Sequence, residues 1–189
     1  MITLQIICFG DSNTYGFDPR DFWEARYNAD NRWVDLLAKH LDCKVVNDGV
    51  NGRVIPRRPD ALPMPTEKTC GDIILIMLGT NDLLEGASAK DIASRMEAFL
   101  KGILPCYKQI ILIAPPPLKR GAWVPGDELV NESICLADEY MFLAQKLTIS
   151  FVDTRRWNVE LTFDGVHFTE SGHHAFAAHL AAELRQWQS

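Results

Sequence analysis

Ile73-Ile74-Leu75-Ile76-Met77-Leu78 and, further along, Ile110-Ile111-Leu112-Ile113-Ala114 are apolar without a break. A strand with one face in water alternates apolar and polar side chains, because successive Cβ atoms point to opposite faces. Strands without that alternation are covered on both faces, which is the arrangement of a parallel sheet between two layers of helices. Outward from these two, further runs of strand length stand at 4–9, 44–47 and 149–152, so five strands are expected. The segments between them carry apolar residues at helical spacing: Trp33, Leu36, Leu37 and Leu41 share one face, and Ile134, Met141, Ala144 and Leu147 are expected to share another. Ser88, three residues before Asp91, reads as the cap of a helix that ends near Leu104, ahead of Pro105. Thr169 reads as the cap of a last helix with Phe176, Leu180, Leu184 and Trp187 in one stripe. The pattern predicts an α/β fold.

At 189 residues and 47% hydrophobic, the chain can bury one substantial core, and a single domain over 1–189 is expected. A formal charge of -6 gives no basic excess of the kind that holds nucleic acid or an anionic membrane surface. No run approaches the ~18 apolar residues of a membrane span, and the first residues lack the positive region of a signal peptide. Cysteines at 8, 43, 70, 106 and 135 are odd in number and not closely paired, so they read as reduced thiols and neither a disulfide framework nor a zinc knuckle. A soluble, cytoplasmic protein acting on a small neutral or weakly polar molecule is the expectation. Two proline-rich connections, 54–70 and 115–127, read as loops that either rim a site or simply cross the surface.

In a parallel sheet, whatever follows each strand gathers at one edge, where such folds bind ligands. Gly10-Asp11-Ser12-Asn13 follows the first strand and Asp48-Gly49-Val50-Asn51-Gly52-Arg53 the second. Gly79-Thr80-Asn81-Asp82 follows the third and Asp164-Gly165-Val166-His167 the fifth. Ser12 stands at a strand-to-helix turn, where a hydroxyl can be exposed as a nucleophile, although Gly-Asp-Ser is also an ordinary capping turn. Asp164 and His167 have the spacing at which a carboxylate can hold one ring nitrogen and leave the other as a base. That spacing arises by chance in roughly a fifth of chains this long, so the pair alone defines nothing. Asn81 follows a buried strand, where a primary amide needs a cleft or a hydrogen bond. Gly52 can offer an unobstructed N–H or merely a permissive turn. His173 and His174 are expected to be solvated, and His40 and His179 structural. Tyr15, Phe22, Trp23, Trp123, Trp157 and Phe163 are candidates for an aromatic pocket, with core or oligomer contacts favoured at such positions.

Taken in order, Gly-Asp-Ser, Asn-Gly-Arg, Gly-Thr-Asn-Asp and Asp-Gly-Val-His resemble the four blocks of the SGNH or GDSL family of serine esterases. Phe9, Trp33, Leu78 and Phe168-Thr169 resemble its arylesterase-like branch. The resemblance implies a flavodoxin-like, three-layer α/β/α fold with a five-stranded parallel sheet. It makes Ser12 the nucleophile, His167 the base and Asp164 its orienting acid, with Ser12 N–H, Gly52 N–H and the Asn81 side chain as the oxyanion hole. The chain departs from the family pattern at Asn13, where leucine is usual, and at Tyr15, where that branch often has tryptophan, which bears on the acyl pocket. Arylesterase-like relatives are often oligomeric, so a homo-oligomer is compatible with the resemblance.

The expected activity is hydrolysis of short-acyl or aryl esters through an acyl-enzyme on Ser12, with a small-molecule ester as partner and no cofactor or metal. A carbohydrate O-deacetylase would use the same triad. The alternative of another class is a non-catalytic flavodoxin-like binding module, with the first loop cradling phosphate; it gives His167 no role.

Overall fold

The computed structural model describes residues 5–20, 26–57 and 73–186. Five parallel strands, β1 (Gln5–Gly10), β2 (Lys44–Gly49), β3 (Ile73–Met77), β4 (Gln109–Ile113) and β5 (Ser150–Val152), form one sheet in the order β2-β1-β3-β4-β5. This is the flavodoxin-like order, and it reverses direction between β1 and β3. The five runs expected from the sequence are these five strands.

The period of two decides which layer each strand residue joins. Ile7, Phe9, Ile74, Ile76 and Leu78 pack on one face with Ile92, Met96, Phe99 and Leu100 of α4 (Ala89–Ile103) and Leu136, Tyr140 and Leu143 of α5 (Asp127–Leu147). Ile6, Cys8, Ile73, Leu75 and Met77 pack on the other with Trp33 and Leu37 of α2 (Trp33–Leu41) and Phe176, Leu180 and Leu184 of α6 (Glu170–Gln186). The continuous apolar runs therefore feed two separate cores, one per face, and the molecule is a three-layer α/β/α sandwich. Two one-turn helices, α1 (Ser12–Tyr15) and α3 (Thr80–Leu84), follow β1 and β3.

Helix starts obey the local chemistry. Ser88 Oγ accepts the Asp91 N–H at 3.2 Å, and Thr169 Oγ1 accepts the Gly172 N–H at 3.0 Å. The face of α5 differs from the expected one. Its buried stripe is Ser133, Leu136, Ala137, Tyr140, Leu143 and Ala144, whereas Ile134 is exposed and Met141 only half-buried. The stripe is displaced by about one residue because the sheet selects Leu136 and Tyr140, whose hydroxyl donates to the Leu78 carbonyl at 3.0 Å.

Cys8, Cys43, Cys106 and Cys135 are free thiols. Among the described residues, no helix is long and apolar enough to cross a membrane. Phe22, Trp23, Cys70, Trp187 and most of the 54–70 connection lie outside the described residues.

Candidate active site

Because every strand runs the same way, the segments after β1, β2, β3 and β5 meet at one sheet edge, next to the reversal between β1 and β3. At the end of β1, the Asp11 carboxylate accepts the Asn13 N–H at 3.0 Å and starts α1 on Ser12. Gly16, at φ 91°, ends the turn in the left-handed conformation, and the Gly16 and Phe17 N–H groups both donate to the Ser12 carbonyl, at 2.9 and 3.0 Å. Ser12 is thus fixed by backbone bonds that leave its hydroxyl uncommitted.

That hydroxyl lies 3.0 Å from His167 Nε2, and His167 Nδ1 lies 2.7 Å from Asp164 Oδ2. With Nδ1 against a carboxylate, the ring hydrogen belongs on Nδ1 and Nε2 is left as acceptor for the serine hydroxyl. Asp164 Oδ1 meanwhile accepts from the Thr162 hydroxyl at 2.8 Å, Val166 N–H at 2.8 Å and His167 N–H at 3.0 Å. Burial alone would push the Asp164 carboxyl up, but the His167, Val166 and Thr162 donors outweigh it and bring it down to about 2. The acid stays ionised over any working pH and holds the imidazole in one tautomer.

Gly165 makes the tight turn between Asp164 and His167 at φ 82°, and a Cβ there would collide with the Lys119 carbonyl. The connection after β4 is consequently laid against the acid. Lys119 N–H donates to Gly165 O at 3.0 Å, Ala122 N–H to Phe163 O at 3.0 Å and Trp123 N–H to Asp164 O at 3.0 Å. This carries the Trp123 ring to 5.1 Å from the His167 ring, edge-on, while Phe17 approaches the same ring at 4.9 Å. Trp123 and Phe163 remain 52% and 64% exposed, so the proline-rich connection is a rim of the site. Phe17 was not among the expected pocket residues. Its signal was the preceding glycine, since an apolar residue just after a helix-ending glycine folds back on the turn it ends.

The candidate oxyanion donors stand on neighbouring segments that are bonded together. Gly52 is exposed, at φ 72°, in a turn closed by Arg53 N–H to Val50 O at 3.2 Å. Asn81, in α3, donates from Nδ2 to the Arg53 carbonyl at 3.0 Å. Val50 N–H and Arg53 Nη1 both donate to the Gly10 carbonyl, at 3.1 and 3.0 Å, which ties this turn to the strand end that precedes Ser12.

Both polar atoms of the Asn13 side chain bond the backbone on either side of His167. Trp157 is a core residue, the role favoured for such aromatics, packed edge-on against Phe176 at 5.3 Å and stacked on His179. Tyr15 is half-buried beneath the Arg26 guanidinium, 4.4 Å from its ring. His174 is exposed as expected, but His173 is fully buried. Its position three, four, seven and eleven residues from Phe176, Ala177, Leu180 and Leu184 puts it in the buried stripe of α6, and its Nδ1 accepts the Trp33 N–H at 3.3 Å. Burial, with His174 and Arg32 nearby, pushes it down to about 3 from 6.5, so it is neutral in the fold. The stability it contributes is fully present above 6.5 and is lost as pH falls toward 3.

Asp11 acts in the opposite sense. Burial pushes its carboxyl up from 3.8 to about 6, against the opposing pull of the Asn13 N–H, His167 and Thr80. Between those values the folded chain binds a proton that the unfolded chain does not, so this group destabilises the fold as pH rises through the window. At about 1.4 kcal/mol per unit, the full cost above pH 6 is about 3 kcal/mol. Asp11→Asn keeps the capping oxygen and removes the charge. It is expected to be more stable than the parent by up to that amount at pH 7 and by little at pH 3.5. Urea unfolding of both proteins at the two pH values checks this, and a difference independent of pH would contradict it.

The chain belongs to the GDSL-like lipase/acylhydrolase family, whose model matches residues 8–175. It is a carboxylic ester hydrolase of the SGNH type. Among solved structures, the native aryl esterase of M. smegmatis is 28% identical with a TM-score of 0.78, over 97% of this chain and 99% of that one. A carbohydrate acetylesterase family member from Sinorhizobium meliloti is 26% identical with a TM-score of 0.83, over 97% of this chain and 98% of the other. No curated protein matches the chain significantly.

Proposed function

We propose that the protein hydrolyses small carboxylic esters, short-acyl or aryl, through an acyl-enzyme on Ser12. The observation that carries this reading is the bonded chain from Ser12 Oγ through the two nitrogens of His167 to Asp164, at 3.0 and 2.7 Å. His167 takes the serine proton as Oγ attacks the ester carbonyl, then returns it to the departing alcohol. Water repeats the sequence in the other direction and releases the acid, so no cofactor is required. Ser12 N–H, Gly52 N–H and the Asn81 amide stabilise the tetrahedral oxyanion. The Phe17 and Trp123 edges against the imidazole support apolar or aromatic groups beside the scissile bond. The non-catalytic reading gives the Ser12–His167 bond no purpose.

Removal of acetyl groups from a carbohydrate is the second reading, favoured by the similarity to the Sinorhizobium meliloti protein. An acyl-length series of nitrophenyl esters, run beside acetylated sugars, separates the two. Rates highest for acetyl and propionyl nitrophenyl esters, with slow turnover of acetylated sugars, are expected. Preferential deacetylation of the sugars would transfer the assignment to the second reading, and inertness toward all of them would overturn both.

A further inference from the structure

Asn13 stands where the family name has leucine, and it is 5% exposed. A buried amide must place its donors and its acceptor, and here each end has a backbone partner. Nδ2 donates to the Val166 carbonyl at 3.1 Å, and Oδ1 accepts the Phe168 N–H at 2.9 Å. These are the residues immediately before and after His167. One amide therefore pairs with the chain on both sides of the base, much as a neighbouring strand would. The main chain of Asn13 is itself fixed at both ends, by the Asp11 carboxylate on its N–H at 3.0 Å and by Trp33 Nε1 on its carbonyl at 2.9 Å. Across 155 residues of sequence, the Ser12–His167 bond runs in parallel with two bonds made by the residue adjacent to the nucleophile.

We infer that Asn13 is a positioning residue: its side-chain amide clamps the 166–168 backbone to the α1 turn and so sets the separation of Ser12 Oγ from His167 Nε2. This rests on Ser12 being the nucleophile. Asp164 positions the imidazole within its own turn, through bonds to Val166 N, His167 N and Nδ1, and among the described residues it makes no hydrogen bond to α1. Orientation of the base and its distance from the nucleophile are thus set by two different residues. Leucine fills a similar volume but can form neither bond, so the 163–169 backbone would keep its bonds to the 119–123 and 160–162 segments and lose both side-chain bonds that tie it to the α1 turn.

The test uses the full chain with Asn13→Leu and, as a second change that removes both bonds without introducing leucine's branched end or a charge, Asn13→Ala, for which the same fall is expected. Three quantities are measured: nitrophenyl acetate kinetics, the rate at which a fluorophosphonate labels Ser12, and the downfield proton resonance of the His167–Asp164 bond. In Asn13→Leu, kcat and the labelling rate are expected to fall about 10- to 100-fold, the cost of misplacing a reacting group by a fraction of an ångström to an ångström. KM should stay within about threefold and the downfield proton should persist, because the bonds of Asp164 are untouched. A folded Asn13→Leu with wild-type labelling and kcat would overturn the clamp. Loss of labelling, downfield proton and folded signal together in both variants would show a structural residue only, and would equally overturn it. Failure of the unmodified protein to be labelled at Ser12 is a different result, which removes the nucleophile assignment itself.

Discussion

Ser12→Ala is expected to lower kcat/KM for a nitrophenyl ester by about 10⁴- to 10⁶-fold while the protein keeps its fold and melting temperature. The magnitude is that of removing a nucleophile from a triad whose members act as a unit, leaving only the contribution of binding and the oxyanion site. The retained fold follows from which atoms of Ser12 carry structure. Its carbonyl accepts from Gly16 and Phe17, and α1 is capped by Asp11 through the Asn13 N–H; none of these bonds uses Oγ. The hydroxyl has one protein partner among the described residues, His167 Nε2 at 3.0 Å. Alanine removes that bond and accepts the same helical backbone. Mass spectrometry after fluorophosphonate treatment, alongside steady-state rates, checks the result. A folded Ser12→Ala that hydrolyses the ester near the parent rate would eliminate the acyl-enzyme mechanism.

The sheet was legible because its signal is local and redundant. Ile73 to Leu78 cannot alternate, so β3 had to be covered on both faces, and the two cores built from Ile74, Ile76 and Leu78 on one side and Ile73, Leu75 and Met77 on the other are that statement in three dimensions. The convergence of the candidate site residues was legible for a related reason: parallel strands deliver their following segments to one edge, so four short blocks far apart in sequence had to be neighbours. Ser12, His167 and Asp164 are brought into one hydrogen-bonded chain, and Asn81 is bonded to the segment carrying Gly52.

What the sequence hid depends on partners that no local pattern encodes. The stripe of α5 was displaced because Ile134 is apolar yet faces outward, and periodicity weighs composition without knowing where the sheet lies. The sequence reading of His173 as solvated runs against its phase with Phe176 and Leu180, which marks it as buried. Core or oligomer contact is the favoured reading for both Trp157 and Trp123, and Trp157 follows it by meeting Phe176 in the core, whereas Trp123 is drawn to His167 by its own N–H on the Asp164 carbonyl. Asn13 was read as a change to the acyl pocket. The partners of its amide lie some 150 residues away, and only the folded chain reveals that they flank His167.

Asn81→Ala is expected to reduce kcat by about 10²- to 10³-fold, roughly 3–4 kcal/mol, with KM changed only a few-fold. An oxyanion donor bonds more strongly to the tetrahedral intermediate than to the bound ester, so its loss falls on turnover and spares binding. The geometry sharpens this expectation. A primary amide has two hydrogens, and one of those on Asn81 Nδ2 is given to the Arg53 carbonyl at 3.0 Å, which fixes the plane of the amide and leaves the second hydrogen for the oxyanion. The Arg53 carbonyl is a firm anchor. The Arg53 guanidinium pairs with Asp48 Oδ1 at 2.9 Å, donates to the Gly10 carbonyl at 3.0 Å and lies 4.1 Å from the Phe9 ring centroid. The amide is therefore oriented before substrate arrives, the condition under which an oxyanion donor is worth most. The same bond sets the structural cost, since losing it removes one partly buried hydrogen bond, worth about 1 kcal/mol of stability. Asn81→Asp, of equal size but carrying no side-chain hydrogen when ionised, should be at least as slow, because it also turns an oxygen toward the Arg53 carbonyl. Steady-state kinetics and a melting curve on both variants decide the matter: full turnover in either, or activity lost only in step with the folded state, would make Asn81 a brace for the 50–53 turn and leave the oxyanion to the backbone N–H groups of Ser12 and Gly52.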